Sequence, residues 1–327
     1  MSERYNRQTQ VQEIGLEGQH RIDNSCVFIV GCGGLGCQVG AQLAGAGVGS
    51  IAIIDPDKIE LSNLHRQILF RETDLGESKA IVMAQALRDI NSDINVVAHH
   101  SLLTSSTITT TLVDADIVID ATDNFAASFL LSNYCRKNNI PLVAASVNRT
   151  FGWVGIFCHS QGVSIPGIES VFTTLAASVN TCDTVGVTGP SVGIIASIQA
   201  QEVLKVILAD NSQLAGKLLY FDLWKYQQHT IDFSQATTTT TLISFLGAEQ
   251  ITDSDNVIDV RHSHESAQAP LKFKQLSLIP VDTIETHYDQ FHIDQHIVCA
   301  CVSGQRALIA ASKFQKFGFS NISVLLP

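Results

Sequence analysis

An apolar strand that runs straight into a glycine-rich turn constrains the fold of this 327-residue chain more than any other feature. Residues 27–30 are β-branched or aromatic, and residues 31–36 contain four glycines. Such a turn lets the backbone approach an anion closely, and the helix that follows directs its free N–H groups to the same place. We predict that the turn binds the phosphates of a nucleotide. Its glycines are Gly31, Gly33, Gly34 and Gly36.

Strand and helix patterns alternate through the first 233 residues, which predicts an α/β fold with a Rossmann-like, doubly wound and mostly parallel sheet. Strands are expected near residues 26–31, 50–55, 94–98, 116–120, 141–146, 151–157, 217–222 and 228–233. Helices are expected at about 36–46, 79–90 and 190–208, since apolar residues recur there at helical spacing.

The glycine turn alone does not identify the reaction, because hydride-transfer enzymes carry the same turn with an acidic ribose ligand after the second strand. Asp55 fits that ribose role in either class of enzyme. A nicotinamide-dependent dehydrogenase gives no role to Arg66 and Lys79, whereas attack on an α-phosphate builds charge that cations stabilise. The residues therefore favour nucleotidyl transfer.

Asp123 follows the apolar strand at 116–120 and is expected at the carboxyl edge of the sheet, where open α/β proteins bind ligands. A carboxylate in that place can hold Mg²⁺ together with substrate phosphates. The sequence thus predicts ATP and magnesium in one site.

Several separated motifs resemble those of the ubiquitin-activating-enzyme-like adenylyltransferases that serve molybdopterin and thiamin biosynthesis. The resemblance covers about residues 1–233, and its motifs are residues 4–8, 31–36, 44–49, 61–67 and 121–124. It implies that the chain adenylylates the C-terminal Gly-Gly carboxylate of a small ubiquitin-like sulfur-carrier protein. The acyl-adenylate is then converted to a thiocarboxylate with sulfur from a donor such as a cysteine desulfurase.

The same resemblance implies roles for individual residues. Asp55 is the ribose ligand, Asp123 holds magnesium with Asn124 beside it, and Arg7 reaches across a homodimer interface to the γ-phosphate of the neighbour's ATP. The remaining nucleotide-site residues, besides the four glycines, are Asp57, Asn63, Arg66, Gln67 and Lys79.

Two departures from the family pattern concern cysteine. Many members close a structural zinc site with two Cys-x-x-Cys pairs, but the chain contains no such pair, so we predict no zinc. Cys182 resembles the position of a cysteine that in thiamin-type enzymes bonds covalently to the carrier. A plain structural cysteine is the alternative there, because Asp183 works against a thiolate.

The C-terminal part resembles a shortened rhodanese domain, with Cys301 heading a tight loop, Arg306 closing it and a helix from residue 305 to 317. Strands are expected over 291–301 and 321–326, and Cys299 is expected to be a core residue. We predict an adenylyltransferase domain at 1–233, a threonine-rich linker at 234–241 and the rhodanese-like domain at 242–327. Cys301 is predicted to transfer sulfur, with a degenerate docking appendage as the alternative.

Composition restricts the remaining classes of function. The formal net charge of −11 argues against a nucleic-acid partner. We expect no stretch to cross a membrane or to act as a signal peptide, which predicts a cytoplasmic protein. A carboxylate-activating ligase on a peptide or a tRNA nucleoside stays open as an alternative. A non-catalytic binding scaffold does too.

Overall fold

The computed structural model describes residues 3–172, 186–236 and 242–326. Most of the described strands form an eight-stranded sheet, and two more form a short hairpin. The eight strands are β1 (Cys26–Val30), β2 (Ser50–Ile54), β3 (Asn95–His99), β4 (Ile117–Asp120), β5 (Leu142–Asn148), β6 (Phe151–Phe157), β9 (Lys217–Asp222) and β10 (Gln227–Asp232). The hairpin is β7 (His159–Ser160) with β8 (Val163–Ser164).

The strand order in this sheet is β10-β9-β6-β5-β4-β1-β2-β3. The five strands from β5 to β3 run parallel, and β6, β9 and β10 extend the sheet antiparallel. The chain leaves β1 towards β2 on one side and returns with β4 on the other, so the strand order reverses at β1. This arrangement confirms the predicted doubly wound, mostly parallel sheet, and it leaves a crevice at the carboxyl ends of β1 and β4.

Helices cover both faces of the sheet. The helices of the described residues are α1 (Gly15–Asp23), α2 (Gly34–Ala46), α3 (Lys79–Ile90), α4 (Ile108–Thr111), α5 (Phe125–Asn138), α6 (Ile168–Val171), α7 (Gly189–Leu208), α8 (Ser263–Gln268) and α9 (Gln305–Lys316). Apolar residues of α2, α3 and α7 belong to the core on one face, and those of α5 belong to the core on the other.

Helix α7 is long and apolar enough to cross a membrane by length and composition, contrary to the expectation from the sequence. The helix packs against α2, β5 and β6. Its buried Gln199 donates hydrogen bonds to the main-chain carbonyls of Asp120 and Val143, at 2.8 and 3.0 Å. These contacts are those of a core helix, and the predicted cytoplasmic location stays a prediction.

The C-terminal part forms a second sheet in which all five strands are parallel. The strands are β11 (Ser244–Leu246), β12 (Asn256–Asp259), β13 (Leu276–Leu278), β14 (Ile297–Ala300) and β15 (Ile322–Leu325), in the order β11-β15-β14-β12-β13. The strand expected over 291–301 is confined to β14. A turn closes before it, where the His292 N–H donates to the Gln295 side chain and the Gln295 N–H donates to the His292 carbonyl.

The two sheets share one apolar core, with α5 between them. Ala126 and Phe129 of α5 belong to the same buried cluster as Ile243, Phe245 and Leu326 of the C-terminal part. The Asn133 amide also donates to the Ile243 carbonyl at 3.0 Å. The C-terminal sheet is therefore packed on the first one, and the proposed boundaries at 233 and 241 stay a prediction. Residues 237–241 of the predicted linker lie outside the described residues.

Candidate active site

A cavity of about 730 Å³ opens at the carboxyl ends of the parallel strands, in the crevice beside β1 and β4. It brings together most of the residues that the sequence predicted for the nucleotide site. The predicted residues that line the cavity are Gly31, Gly33, Gly34, Asp55, Asp57, Asn63, Arg66, Gln67, Lys79, Asp123 and Asn124. They come from strand ends and helix starts spread over nearly 100 residues, so the sheet topology assembles the site.

The glycine turn needs glycine for two different reasons. Gly31 has φ +96°, a backbone conformation that side chains with Cβ rarely adopt. Gly36 does not line the cavity, but a Cβ there would overlap the Gly31 carbonyl oxygen. Gly36 thus lets the first turn of α2 pack onto the end of β1, which holds the N-terminus of α2 at the cavity.

Asp55 braces the glycine turn from the end of β2. Its Oδ2 accepts the Cys32 N–H at 2.6 Å, and its Oδ1 accepts the Asp57 N–H at 2.8 Å. Burial raises the pKa of the Asp55 carboxyl, and these hydrogen bonds oppose that rise. The predicted role as a ribose ligand is not tested, whereas the contacts show that Asp55 fixes the loops on both sides of it.

Lys79 begins α3 and places a cation in the cavity. It lies 22 residues after Asp57 in the sequence. Its Nζ lies 2.8 Å from Asp57 Oδ2, and its side chain is 10% exposed. Burial alone lowers the pKa of Lys79, but the hydrogen bond to Asp57 and the charges of Asp55 and Asp123 outweigh it, so the pKa is raised. The ammonium is therefore kept charged beside the glycine turn.

Arg66, Asn63 and Gln67 come from one turn after β2. Asn63 is buried and accepts the Glu60 N–H at 3.2 Å, which shapes the turn. Arg66 Nη1 contacts the Ser62 carbonyl at 3.2 Å and His65 Nε2 at 2.8 Å. The side chain of Arg66 also packs near Gly34, whose added Cβ would lie 3.3 Å from Arg66 Cγ. The turn thus places a second cation over the start of α2.

Asp123 and Asn124 lie where β4 gives way to α5. Asn124 caps α5, since its Oδ1 accepts the Ala126 N–H at 2.9 Å. Buried Asp120 accepts from the N–H and hydroxyl of Thr122 at 3.0 and 2.8 Å, which orders the residues before Asp123. The Asp123 carboxylate acts on Lys79, whose pKa it helps to raise.

The polar groups of the cavity fit a nucleoside triphosphate with one metal ion. Buried Gln67 Oε1 has no hydrogen-bond partner within the described part of the chain, so it can accept from a ligand. That same part holds no group of three or more His, Cys, Asp or Glu close enough to bind a metal by themselves. The Asp123 carboxylate suits Mg²⁺, which takes one or two carboxylates and completes its shell with phosphates and water.

Comparison with known families identifies the family of this chain. A model described as the ThiF family matches residues 5–241. The chain belongs to the ThiF family. This confirms the resemblance that the separated sequence motifs indicated for about residues 1–233.

Curated relatives of this ThiF-family chain match about two thirds of its length. A protein of Culex quinquefasciatus named adenylyltransferase and sulfurtransferase MOCS3 is 41% identical over 221 residues, which are 67% of this chain and 50% of the relative. A protein of the same name in Caenorhabditis briggsae is 40% identical over 230 residues, or 70% of this chain and 57% of the relative. The chain thus spans about half the length of the curated relatives it matches.

Solved structures show the same fold. The crystal structure of E. coli MccB with MccA-N7isoASN has a TM-score of 0.64 and 25% identity, and the match covers 73% of this chain and 74% of that one. The structure of selenomethionine PaaA has a TM-score of 0.61 and 26% identity over 71% of this chain and 73% of that one.

Sequence reasoning missed several residues that line the cavity of this ThiF-family chain. They are Leu102 and Leu103 after β3, Ser146 and Val147 of β5, and Val187 and Val192 around the start of α7. No motif marks them, since they are ordinary apolar or small residues. For the residues after β3 and near the end of β5, the available signal was their place on the carboxyl edge of the sheet.

Two further predicted residues, Arg7 and Cys301, do not line the cavity. Arg7 is exposed on the N-terminal segment, and the predicted dimer contact is not tested. Cys182 lies outside the described residues. The predicted absence of zinc stays a prediction.

Cys301 lies in the loop between β14 and α9, as the sequence predicted. Its Sγ accepts a hydrogen bond at 3.4 Å from the Ala307 N–H, which belongs to the first turn of α9. Cys301 is 8% exposed. Arg306 does not close the loop by itself, because both its terminal nitrogens bind the Glu265 carboxylate at 2.7 Å. Cys299 is fully buried in β14, which confirms its place in the core.

Proposed function

We propose that this chain is an ATP-dependent adenylyltransferase that activates the C-terminal Gly-Gly carboxylate of a small ubiquitin-like sulfur-carrier protein. The observation that carries the proposal is that Arg66, Lys79 and Asp123 line one cavity with the glycine turn. Two cations beside a phosphate turn suit a reaction that moves negative charge onto a departing pyrophosphate. The names of the relatives at 41% and 40% identity support the same activity.

In the proposed reaction the carrier carboxylate attacks the α-phosphorus of ATP, an oxygen–phosphorus bond forms, and the bond to pyrophosphate breaks. The carboxylate is already ionised at neutral pH, so the chain needs no general base. Arg66 and Lys79 stabilise the charge of the leaving pyrophosphate, while Asp55 and the glycine turn orient the nucleotide. Asp123 would hold Mg²⁺, which neutralises phosphate charge when bound.

The proposal includes a homodimer, in which Arg7 of a second copy reaches the γ-phosphate. The exposed position of Arg7 leaves its guanidinium accessible to such a copy. It also includes sulfur delivery through Cys301, with sulfur taken from a donor such as a cysteine desulfurase. The N–H of Ala307 and the start of α9 support a negatively charged sulfur there. The carrier product would serve molybdopterin or thiamin biosynthesis.

A second candidate is a carboxylate-activating ligase that needs no carrier protein. The fold is shared with the microcin C7 biosynthetic enzyme MccB, at 25% identity over 69% of this chain, which supports an acceptor other than a sulfur carrier as the second candidate. The two candidates differ in the acceptor and share the adenylylation chemistry.

ATP–pyrophosphate exchange tests the proposal and separates the candidates. We expect label from pyrophosphate to enter ATP only when a carrier that ends in Gly-Gly is present. A matched carrier without the last glycine is the control. Exchange that ignores the tail would contradict the carrier assignment, and exchange without any protein acceptor would favour the ligase.

A further inference from the structure

The loop that carries Cys301 contacts the rim of the nucleotide cavity. Asn124 Nδ2 donates to the Ser303 carbonyl at 2.8 Å, and Gln305 Nε2 donates to the Asp123 carbonyl at 3.4 Å. Asp123 and Asn124 both line the cavity. The cysteine loop of one sheet and the nucleotide site of the other therefore meet at the start of α5.

Close packing fixes this contact. Gly304 has φ +77°, and a Cβ there would overlap Leu326 Cδ2 and lie 3.0 Å from Ala126 Cβ. The side chains of Ala126 and Leu326 are buried in the shared core. Only a glycine lets the loop approach α5 so closely, and the Asn133 bond to Ile243 ties the C-terminal sheet to the same helix farther along.

The covalent chain limits how far Cys301 is from the rim. Two peptide units separate Cys301 from Ser303, so their Cα atoms are at most about 8 Å apart. Ser303 in turn lies within hydrogen-bond distance of Asn124. A carrier tail that enters the cavity past the 121–125 turn therefore comes near the cysteine loop of the same chain.

We propose that Cys301 delivers sulfur in cis, to the acyl-adenylate formed in the cavity of its own chain. This inference rests on the proposed function and specifies which of two Cys301 residues in a dimer acts on each site. The contacts at the rim hold the Cys301 loop in one position. Asn124 is a positioning residue, because it binds the loop through Ser303 and also caps α5.

The chemistry of the step requires a sulfane-sulfur donor and a thiol reductant. The donor first converts Cys301 to a persulfide. The terminal sulfur attacks the acyl carbon, a carbon–sulfur bond forms, and AMP leaves with the electron pair of the broken carbon–oxygen bond. The carrier is then joined to Cys301 by a disulfide. The reductant supplies two electrons that cleave it, which releases the carrier thiocarboxylate and the Cys301 thiol.

A mixture of two full-length variants, whose subunits are first exchanged at low concentration, tests delivery in cis. Cys301→Ala removes the sulfur acceptor, and Asp123→Ala removes the activating site, so only delivery between chains yields product. Carrier thiocarboxylate is measured by mass, and exchange is measured in the same tubes. The chain carrying both substitutions is the blank, and the unsubstituted chain is the reference. A mass gain of one sulfur atom first verifies that the Asp123→Ala chain loads its persulfide.

We expect thiocarboxylate formation in the mixture to be about 100-fold below the reference. The docked Cys301 has an effective concentration near millimolar at the cavity of its own chain, whereas Cys301 of a separate chain is present at about micromolar concentration. Formation at about a quarter of the reference rate or more, with exchange at about half of the reference, would overturn delivery in cis and leave the adenylylation proposal standing. Loss of exchange in the unsubstituted chain would instead contradict the proposed function.

Discussion

The Nζ of Lys79 lies 2.8 Å from Asp57 Oδ2, which joins the start of α3 to the loop after β2 in the wall of the nucleotide cavity. The pair holds the ammonium in place before any substrate arrives. Preorganised charge of this kind stabilises a transition state without reorganisation at the moment of reaction. The pair is thus a starting point for testing the site.

Replacing Lys79 with Met should lower ATP–pyrophosphate exchange about 100-fold or more, since removal of one preorganised donor has that effect in other enzymes. Lys79→Arg, which keeps the charge, is the matched variant and should retain part of the rate. Equal exchange in Lys79→Met and the unsubstituted chain would show that Lys79 has no part in charge stabilisation.

Asp123→Ala should reduce exchange to the level of a blank, because it removes the one carboxylate that we assign to Mg²⁺. Asp114→Ala is a suitable control, since Asp114 is exposed and does not line the cavity. We also expect the Asp123→Ala chain to lose the magnesium dependence of ATP binding in calorimetry. Magnesium dependence that persists in this variant would move the metal site elsewhere.

Cys301→Ala should leave exchange unchanged and abolish carrier thiocarboxylate, which mass spectrometry measures. The physical reason is that adenylylation uses the cavity, whereas Cys301 lies outside its lining. Cys26→Ala, at a partly exposed cysteine in β1, serves as the control. A fall in exchange in Cys301→Ala alone would refute this division of labour.

Mixing an Arg7→Ala chain with an Asp123→Ala chain should restore part of the exchange that each lacks. In a mixed dimer the Arg7→Ala chain keeps its own Asp123 and receives an intact Arg7 from its partner. Subunits should first be exchanged at low concentration and the dimer verified by light scattering. Dimers that form without any rescue would place Arg7 outside a shared site.

The Glu265 and Arg306 pair predicts a pH dependence of stability. Hydrogen bonds from Arg306 and from the His262 N–H lower the pKa of Glu265 to about 2 from its ordinary value of 4.5. Because the folded pKa is depressed, the pair stabilises the fold fully above about pH 4.5, and that stabilisation falls as the pH drops towards 2.

Urea unfolding of the unsubstituted chain and Glu265→Gln, followed by circular dichroism, measures this contribution. The difference in free energy of unfolding should be constant between pH 7 and 5 and should shrink below pH 4.5. Glu249→Gln, on the exposed turn after β11, is the control. A difference that grows on acidification would have the wrong sign for this pair.

Local patterns in the sequence predicted the first sheet, the glycine turn and many of the charged and polar residues that line the cavity. Helix α3 begins at Lys79 and ends at Ile90, as its apolar spacing indicated, and β4 ends three residues before Asp123. These features depend on near neighbours in the chain and on the rule that ligands bind at the carboxyl edge of a parallel sheet. Chain periodicity therefore sufficed for them.

Contacts between distant residues were decided only by the tertiary structure. Asp57 is the partner of Lys79, Arg306 pairs with Glu265, and Asn124 holds Ser303 from 179 residues away. The first two contacts depend on packing around one sheet, and the third depends on how the two sheets pack. No local pattern encodes them, because many side chains of the right type are available. The sequence by itself determined which chemistry the chain carries, and packing around α5 determined that the cysteine loop lies beside the nucleotide cavity.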